Sequence, residues 1–221
     1  MFENIPKLVD NTLRALAQTG YMVVISLAVS IVLGGLLGLL IYLTSEELFL
    51  RNRVINNIMN VAVNIIRSIP FLILMIFLLP LSKLIVGTKI GPDAVIVPLS
   101  ICNTAFFARL AEASFSEVDR GVIEAFVASG APKISVITKI LFPEAFPSFV
   151  KNITVTALSV LGYSAMAGLV GGGGLGDLAY RYGYQQYKTD VLLVCIILLI
   201  VLVQLIQYTG DGIVSRINKK R

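Results

Sequence analysis

The 221-residue chain contains no histidine. Histidine general acid–base catalysis, Ser-His-Asp triads and most zinc sites are therefore excluded. Only two cysteines occur, Cys102 and Cys195, far apart and each inside an apolar run. They read as buried small hydrophobes, not as a disulfide or metal pair. Charge is scarce as well: 14% of residues are charged, against about 25% in a soluble domain. The apolar runs hold no pair of carboxylates and no nucleophile motif, so a membrane enzyme is the weakest reading. The opening "MFENIPKLVDN" mixes charges and leads into a long apolar run without a small-residue cleavage site, unlike a signal peptide.

What is present is apolar. At 57% hydrophobic residues and a mean hydropathy of +0.87, the expected solvent is lipid. The net charge of +5 comes from scattered Lys and Arg without a long basic run. It points to cytoplasmic loops of a membrane protein and away from nucleic acid. A span needs about 20 apolar residues. On that basis the chain is an all-α, polytopic bundle, one transmembrane domain over 1–221, with spans near 18–43, 56–81, 93–112, 148–170 and 190–209.

Several residues stand out within these runs. Gly34 and Gly38 share one helix face and permit close helix packing. The second run is broken by Arg67-Ser68-Ile69-Pro70. Either residues 56–79 form one kinked span with Arg67 lining a pathway, or a surface helix ends near Arg67 and a span begins at Pro70. Arg109, at the end of the third run, is placed to snorkel. Five spans put the termini on opposite sides. Eleven basic residues (Arg51, Arg53, Arg109, Arg120, Lys133, Lys139, Lys151, Arg216, Lys219, Lys220, Arg221) fall on one side. Six (Lys7, Arg14, Lys83, Lys89, Arg181, Lys188) fall on the other. The richer side is expected to be cytoplasmic, which puts the N-terminus outside and the C-terminus inside the cell membrane.

"GGGGLG" at 171–176 satisfies G-x-G-x-x-G. That pattern binds a dinucleotide only after a strand and at the start of a helix. Here it follows an apolar span and no phosphate-handling lysine comes after it. It reads as a flexible outer-side turn that allows close packing near a pathway mouth.

The longest cytoplasmic segment, about 113–147, holds "VIEAFVASGAPKISVITKILFPEAFPSFV". It predicts a helix over 122–129, with Gly130 ending it and Pro132 opening a second helix. Apolar Ile134, Ile137 and Leu141 repeat along that second helix. Pro143 and Pro147 are expected to stop it. Glu124 lies near the first turn of the first helix, where the macrodipole favours an acid. An amphipathic helix on the lipid surface and a rigid knob that docks into another protein both fit these residues.

The segment resembles the EAA motif of ABC importer permeases: E-A-A, three residues, G, nine residues, I, one residue, L-P. Glu124, Ala125 and Phe126 stand for E-A-A, then come Gly130, Ile140 and Pro143. Phe126 replaces the second Ala, and Phe142 replaces the Leu before Pro143. "NIIRSIPF", "GYSAMAGLVGGGGLG", "YRYGYQQY" and "LIQYTGDGIV" further resemble the methionine-importer branch of that family, over about 11–214. The resemblance implies a five-span, type I importer permease that works by alternating access. It implies a coupling helix at Glu124–Pro143, including Ala131 and Pro132, which docks on a partner ATPase. The implied partners are a second copy of the chain, two ATP-binding cassette subunits, an extracytoplasmic substrate-binding lipoprotein and the bilayer. ATP and Mg would reside on the ATPase, and this chain would hold no cofactor or metal. A pathway or gate is expected at Arg67, Ser68, Tyr163, Ser164 and Met166.

Overall fold

The computed structural model describes residues 5–45 and 51–219, so Lys220 and Arg221, counted above as cytoplasmic, lie outside it. Among the described residues the elements are all helical. α1 runs over Ile5–Thr44, longer than a bilayer requires. α2 (Arg53–Ser68) starts at Asn52, whose side chain accepts from the Ile55 N–H at 3.1 Å. It ends because Ile69, held extended before Pro70 (φ −85°, ψ 127°), leaves helical geometry. α3 (Phe71–Val86) departs at 109°. The break is thus far sharper than a proline kink within one helix.

α4 (Pro92–Ser116) lies at the centre and is packed by α1, α2, α3 and the helix α7 introduced below. The contact with α1 is backbone-close. A Cβ placed on Gly34 would stand 2.7 Å from the Thr104 carbonyl, and one on Gly38 would stand 2.5 Å from that of Ala108. The glycine face read from the sequence is the one that α1 turns to α4. Serines extend the seam: the Ser30 hydroxyl donates to the Ser26 carbonyl at 2.6 Å and contacts that of Ser100 at 3.4 Å.

After α5 (Arg120–Ala128), α6 (Lys133–Val136) runs through a π-helical turn at Ile137–Leu141 into α7 (Phe142–Ala167). A 3-10 turn, Gly168–Val170, closes it. Residues 133–170 are therefore one long helix, and Pro143 and Pro147 do not stop it. At Pro143, in the first turn of α7, the π turn is the reason, while Pro147 lies inside α7 itself. The Phe142 N–H bonds to the carbonyl of Ile137, five residues back. Such a turn leaves a carbonyl unclaimed where proline has no N–H to offer. A short α8 (Gly174–Leu178), a second π turn (Ala179–Tyr184) and α9 (Thr189–Asn218) complete the chain.

Among the described residues, four helical stretches have the length and apolarity to cross a bilayer: Leu8–Thr44, Pro92–Ser116, Lys133–Val170 and Thr189–Ile217. The bent α2–α3 pair supplies a fifth if counted as one span. Cys102 and Cys195 are free thiols buried among apolar side chains.

Gly38→Ala should destabilise the bundle by about 1–3 kcal/mol through overpacking. Gly20→Ala, where an added Cβ meets nothing within 4 Å, should not. Thermal unfolding of the two detergent-solubilised variants beside wild type checks this; equal midpoints for both would reject the α1–α4 contact.

Candidate functional site

The knob expected on the cytoplasmic side is built from α5 outward. Its N-cap is Asp119, whose carboxylate accepts from the Gly121 N–H at 2.7 Å. The helix begins at Arg120, two residues earlier than expected, so Glu124 sits in the second turn and is not the cap. At the other end, Gly130 takes φ +83°. Its N–H donates to the Val127 carbonyl at 3.0 Å, while that of Ala131 reaches the Phe126 carbonyl at 3.3 Å. This pair of bonds is a Schellman closure, which needs a left-handed residue and so favours glycine. Pro132 caps the next helix from outside and is not its first residue.

Only one residue of α5 is buried. Ile123 enters an inner core with Tyr42, Phe115, Val136, Leu141 and Phe149. Glu124, Ala125 and Phe126 are exposed, as are Val122, Val127, Gly130, Pro132 and Ile134. Ile140 and Ala131 are half-buried, and Pro143 is exposed. Ile134 departs from the face expected for it: it is 71% exposed while Val136 is buried. The extra residue of the π turn shifts the phase, so 136, 141, 145 and 149 face inward instead. The result is an apolar, solvent-facing ridge around one acid. Beside it a cavity of about 240 Å³ is lined by Tyr42, Ser45, Glu112, Ser116, Arg120 and Glu124.

The membrane face holds the second candidate. Tyr163 is half-buried and stacks on Phe71 with ring centroids 4.3 Å apart. Met166 is 40% exposed, and Gly162 beside it faces open space. Arg67 and Ser68 are exposed at the α2 break, the Ser68 hydroxyl donating to the Asn64 carbonyl. Ser164 points the other way: it is 1% exposed and donates to the Leu161 carbonyl at 2.7 Å.

Two features here escaped the sequence reading. Arg109 does not snorkel. Its guanidinium meets Glu112 at 2.6 Å and donates to the Asn64 side-chain oxygen at 2.9 Å, bridging α4 to α2. On α2, Asn57, Asn60, Asn64 and Arg67–Ser68 form a polar stripe at helical spacing. The signal was in the sequence, but averaging hydropathy over a span hides which face carries the polar residues.

At the opposite end of the bundle from α5, "GGGGLG" is no loose turn. Gly174 donates to the Gln18 side-chain oxygen, and Leu175 donates to Thr19 Oγ1, each at 2.9 Å. The Gly91 N–H reaches the Gly171 carbonyl at 2.9 Å. A Cβ on Gly176 would fall 2.0 Å from the Ala165 carbonyl. The glycines clamp α8 between α1 and α7.

A helical bundle with several apolar spans, a polar face on α2 and a rigid, exposed apolar knob at α5 has the architecture of a transport permease. Residues 30–219 match the family described as binding-protein-dependent transport system inner membrane component. The chain belongs to that family. It is 46% identical over 211 residues to a probable D-methionine transport system permease protein MetI of Vibrio cholerae serotype O1, covering 96% of this chain and 94% of that one. It is 45% identical over 181 residues to the methionine import system permease protein MetP of Bacillus subtilis, covering 82% of each. A solved inward-facing structure of the MetNI methionine ABC transporter superposes with a TM-score of 0.94 at 39% identity, covering 98% of this chain and 99% of that chain. The permease class and the helical fold expected from the EAA-like motif are those found.

Gly174→Val forces a β-branched residue to φ +80° and a Cβ to 2.7 Å from Thr19 Oγ1. It should lower the unfolding midpoint and expose the segment after residue 170 to protease. A protease pattern identical to wild type would contradict the clamp.

Proposed function

We propose that the chain is the permease of an ATP-driven ABC importer for methionine. Two copies would form the pathway by alternating access. Each would dock one ATP-binding cassette subunit at α5, and an extracytoplasmic lipoprotein would deliver the substrate. ATP and Mg would sit on the ATPase, with the N-terminus of the permease outside and its C-terminus in the cytoplasm.

The observation that carries this reading is the exposed ridge of α5. Val122, Phe126, Val127 and Ile134 face solvent around Glu124, while Ile123 anchors the same helix to the bundle. A helix meant for the lipid surface would bury its apolar face in lipid and leave its acid in water. Here the acid lies among the apolar residues and borders a cavity of mixed polar and apolar lining, which fits a protein partner that offers both a groove and a basic group. Arg67, Ser68, Tyr163 and Met166 would line the pathway, and the half-exposed thioether of Met166 suits a flexible apolar gate. Ser164, turned inward, would support α7. Methionine is supported by the names of the similar permeases.

Glu124→Lys reverses the charge beside the cavity. Gly130→Pro demands φ near −65° where the chain needs +83°. Each should abolish co-purification of the ATPase subunit from the assembled transporter; retention by both would overturn the docking reading. Labelled methionine entering vesicles with the complete transporter should be displaced by unlabelled methionine. Indifference to that competitor would reject methionine as the substrate.

A further inference from the structure

We propose that Arg67 holds the carboxylate of an amino-acid substrate partway through the membrane, at the outer end of a polar stripe on α2. The inference rests on the importer reading above and adds a ligand chemistry to one residue of it.

The stripe is a ladder of neutral amides that ends in one charge. Asn56 donates to the Ile41 carbonyl at 2.8 Å, and Asn60 donates to the Asn56 side-chain oxygen at 2.7 Å. Asn64 accepts from Arg109 at 2.9 Å. Lower on the ladder, the cation that meets the amides is therefore answered: Arg109 pairs with Glu112. Arg14 and Arg181 are likewise paired, with Asp10 and Asp177. Arg67 is not. Among the described residues no carboxylate pairs with it, and its guanidinium makes no hydrogen bond.

It sits at the break of the α2–α3 pair, which together has the length and apolarity of one broken span. Its neighbours Ile66 and Ile69 pack, with Tyr163, on the cluster that holds Cys102. Cys102 stands about 15 Å along α4 from Pro92. An unpaired guanidinium at that depth faces water, a lipid phosphate or an anionic ligand. The rest of the face favours water, because Asn57, Asn64, Arg67 and Ser68 are exposed and polar, with Val61 the apolar residue exposed among them. A watery path supplies the missing acceptor, and a passing carboxylate forms charge-assisted hydrogen bonds with it.

The surroundings fit the remainder of an amino acid with an apolar side chain. Tyr163 and Met166 lie one helical turn apart on α7, and an added Cβ at Gly162 meets nothing within 4 Å. No acid crowds the guanidinium to compete for it, and Arg109, bound to Glu112, cannot substitute.

The test uses the complete transporter, permease with ATPase and binding protein, in vesicles of phosphatidylcholine alone and of phosphatidylcholine with phosphatidylglycerol. Labelled amino-acid uptake and ATP hydrolysis are measured together. Arg67→Gln should lower uptake per ATP about tenfold in both lipids, the scale of one charged hydrogen-bonded contact. Arg67→Lys should retain the larger part, and the binding-protein concentration for half-maximal uptake should not move. Arg67→Met, which suits lipid and preserves length, should show the same deficit and keeps the test alive if the glutamine variant does not fold. Wild-type uptake per ATP in either neutral variant overturns the proposal. So does a deficit confined to phosphatidylglycerol vesicles, which would assign the guanidinium to a lipid phosphate. Wild-type vesicles that import no amino acid would overturn the importer reading beneath it, and the carboxylate station with it.

Discussion

The backbones of α1 and α4 touch at Gly34 and Gly38, and the bundle is organised around that seam. In lipid there is no hydrophobic force between helices, so association depends on close packing and on hydrogen bonds across it. The seam supplies both, through glycines that admit the Thr104 and Ala108 carbonyls and through Ser26 and Ser30 beside them. With α4 held this way, its remaining faces receive α2, α3 and α7. Its inner end, through Phe107 and Phe115, seats the aromatic cluster that anchors α5. The α5 knob is thus fixed by the same helix that borders the polar face of α2.

Polar residues at membrane depth divide into those the fold consumes and those it leaves over. Asn103 and Asn152 donate to backbone carbonyls of α4. Arg109 is bound by Glu112 and Asn64. A charge at the bilayer centre costs about 2.5–3.5 kcal/mol even on the mildest scale. A folded chain would shed such a group unless a partner or water met it. The exposed stripe on α2 is the part left over, and it is where a pathway gains something from polarity that packing does not.

Local signals were legible in the sequence where a residue acts through its own backbone. Gly130 ends α5 because a left-handed residue is required there. Pro70 breaks α2 from α3. Gly34 and Gly38 mark a packing face. Each of these follows from stereochemistry within a few residues. What escaped depends on partners distant in sequence or on a shift in helical phase. The glycine clamp is closed by Gln18 and Thr19, more than 150 residues away. Arg109 finds Asn64 only once α2 and α4 lie together. The π turn at Ile137–Leu141 carries the helix past Pro143 and rotates Ile134 outward. No periodicity measured at 3.6 residues per turn would find it.

That π turn also bears on how force could cross the protein. Residues 133–170 form one helix that starts beside α5 and ends beside the outer glycines, a distance of about 57 Å at 1.5 Å per residue. Its inner end carries Val136 and Leu141, packed against Ile123 of α5. Its outer half carries Tyr163 and Met166. A displacement of α5 by a docked partner is therefore delivered to a rigid lever, not dissipated in a loop, as it would be if Pro143 and Pro147 had ended the helix. Closely packed helices do not deform continuously; they exchange between discrete arrangements. A partner can drive such an exchange only by binding one arrangement better than the other. The rigid closure of α5 at Gly130 is what would let that difference in binding reach the pathway.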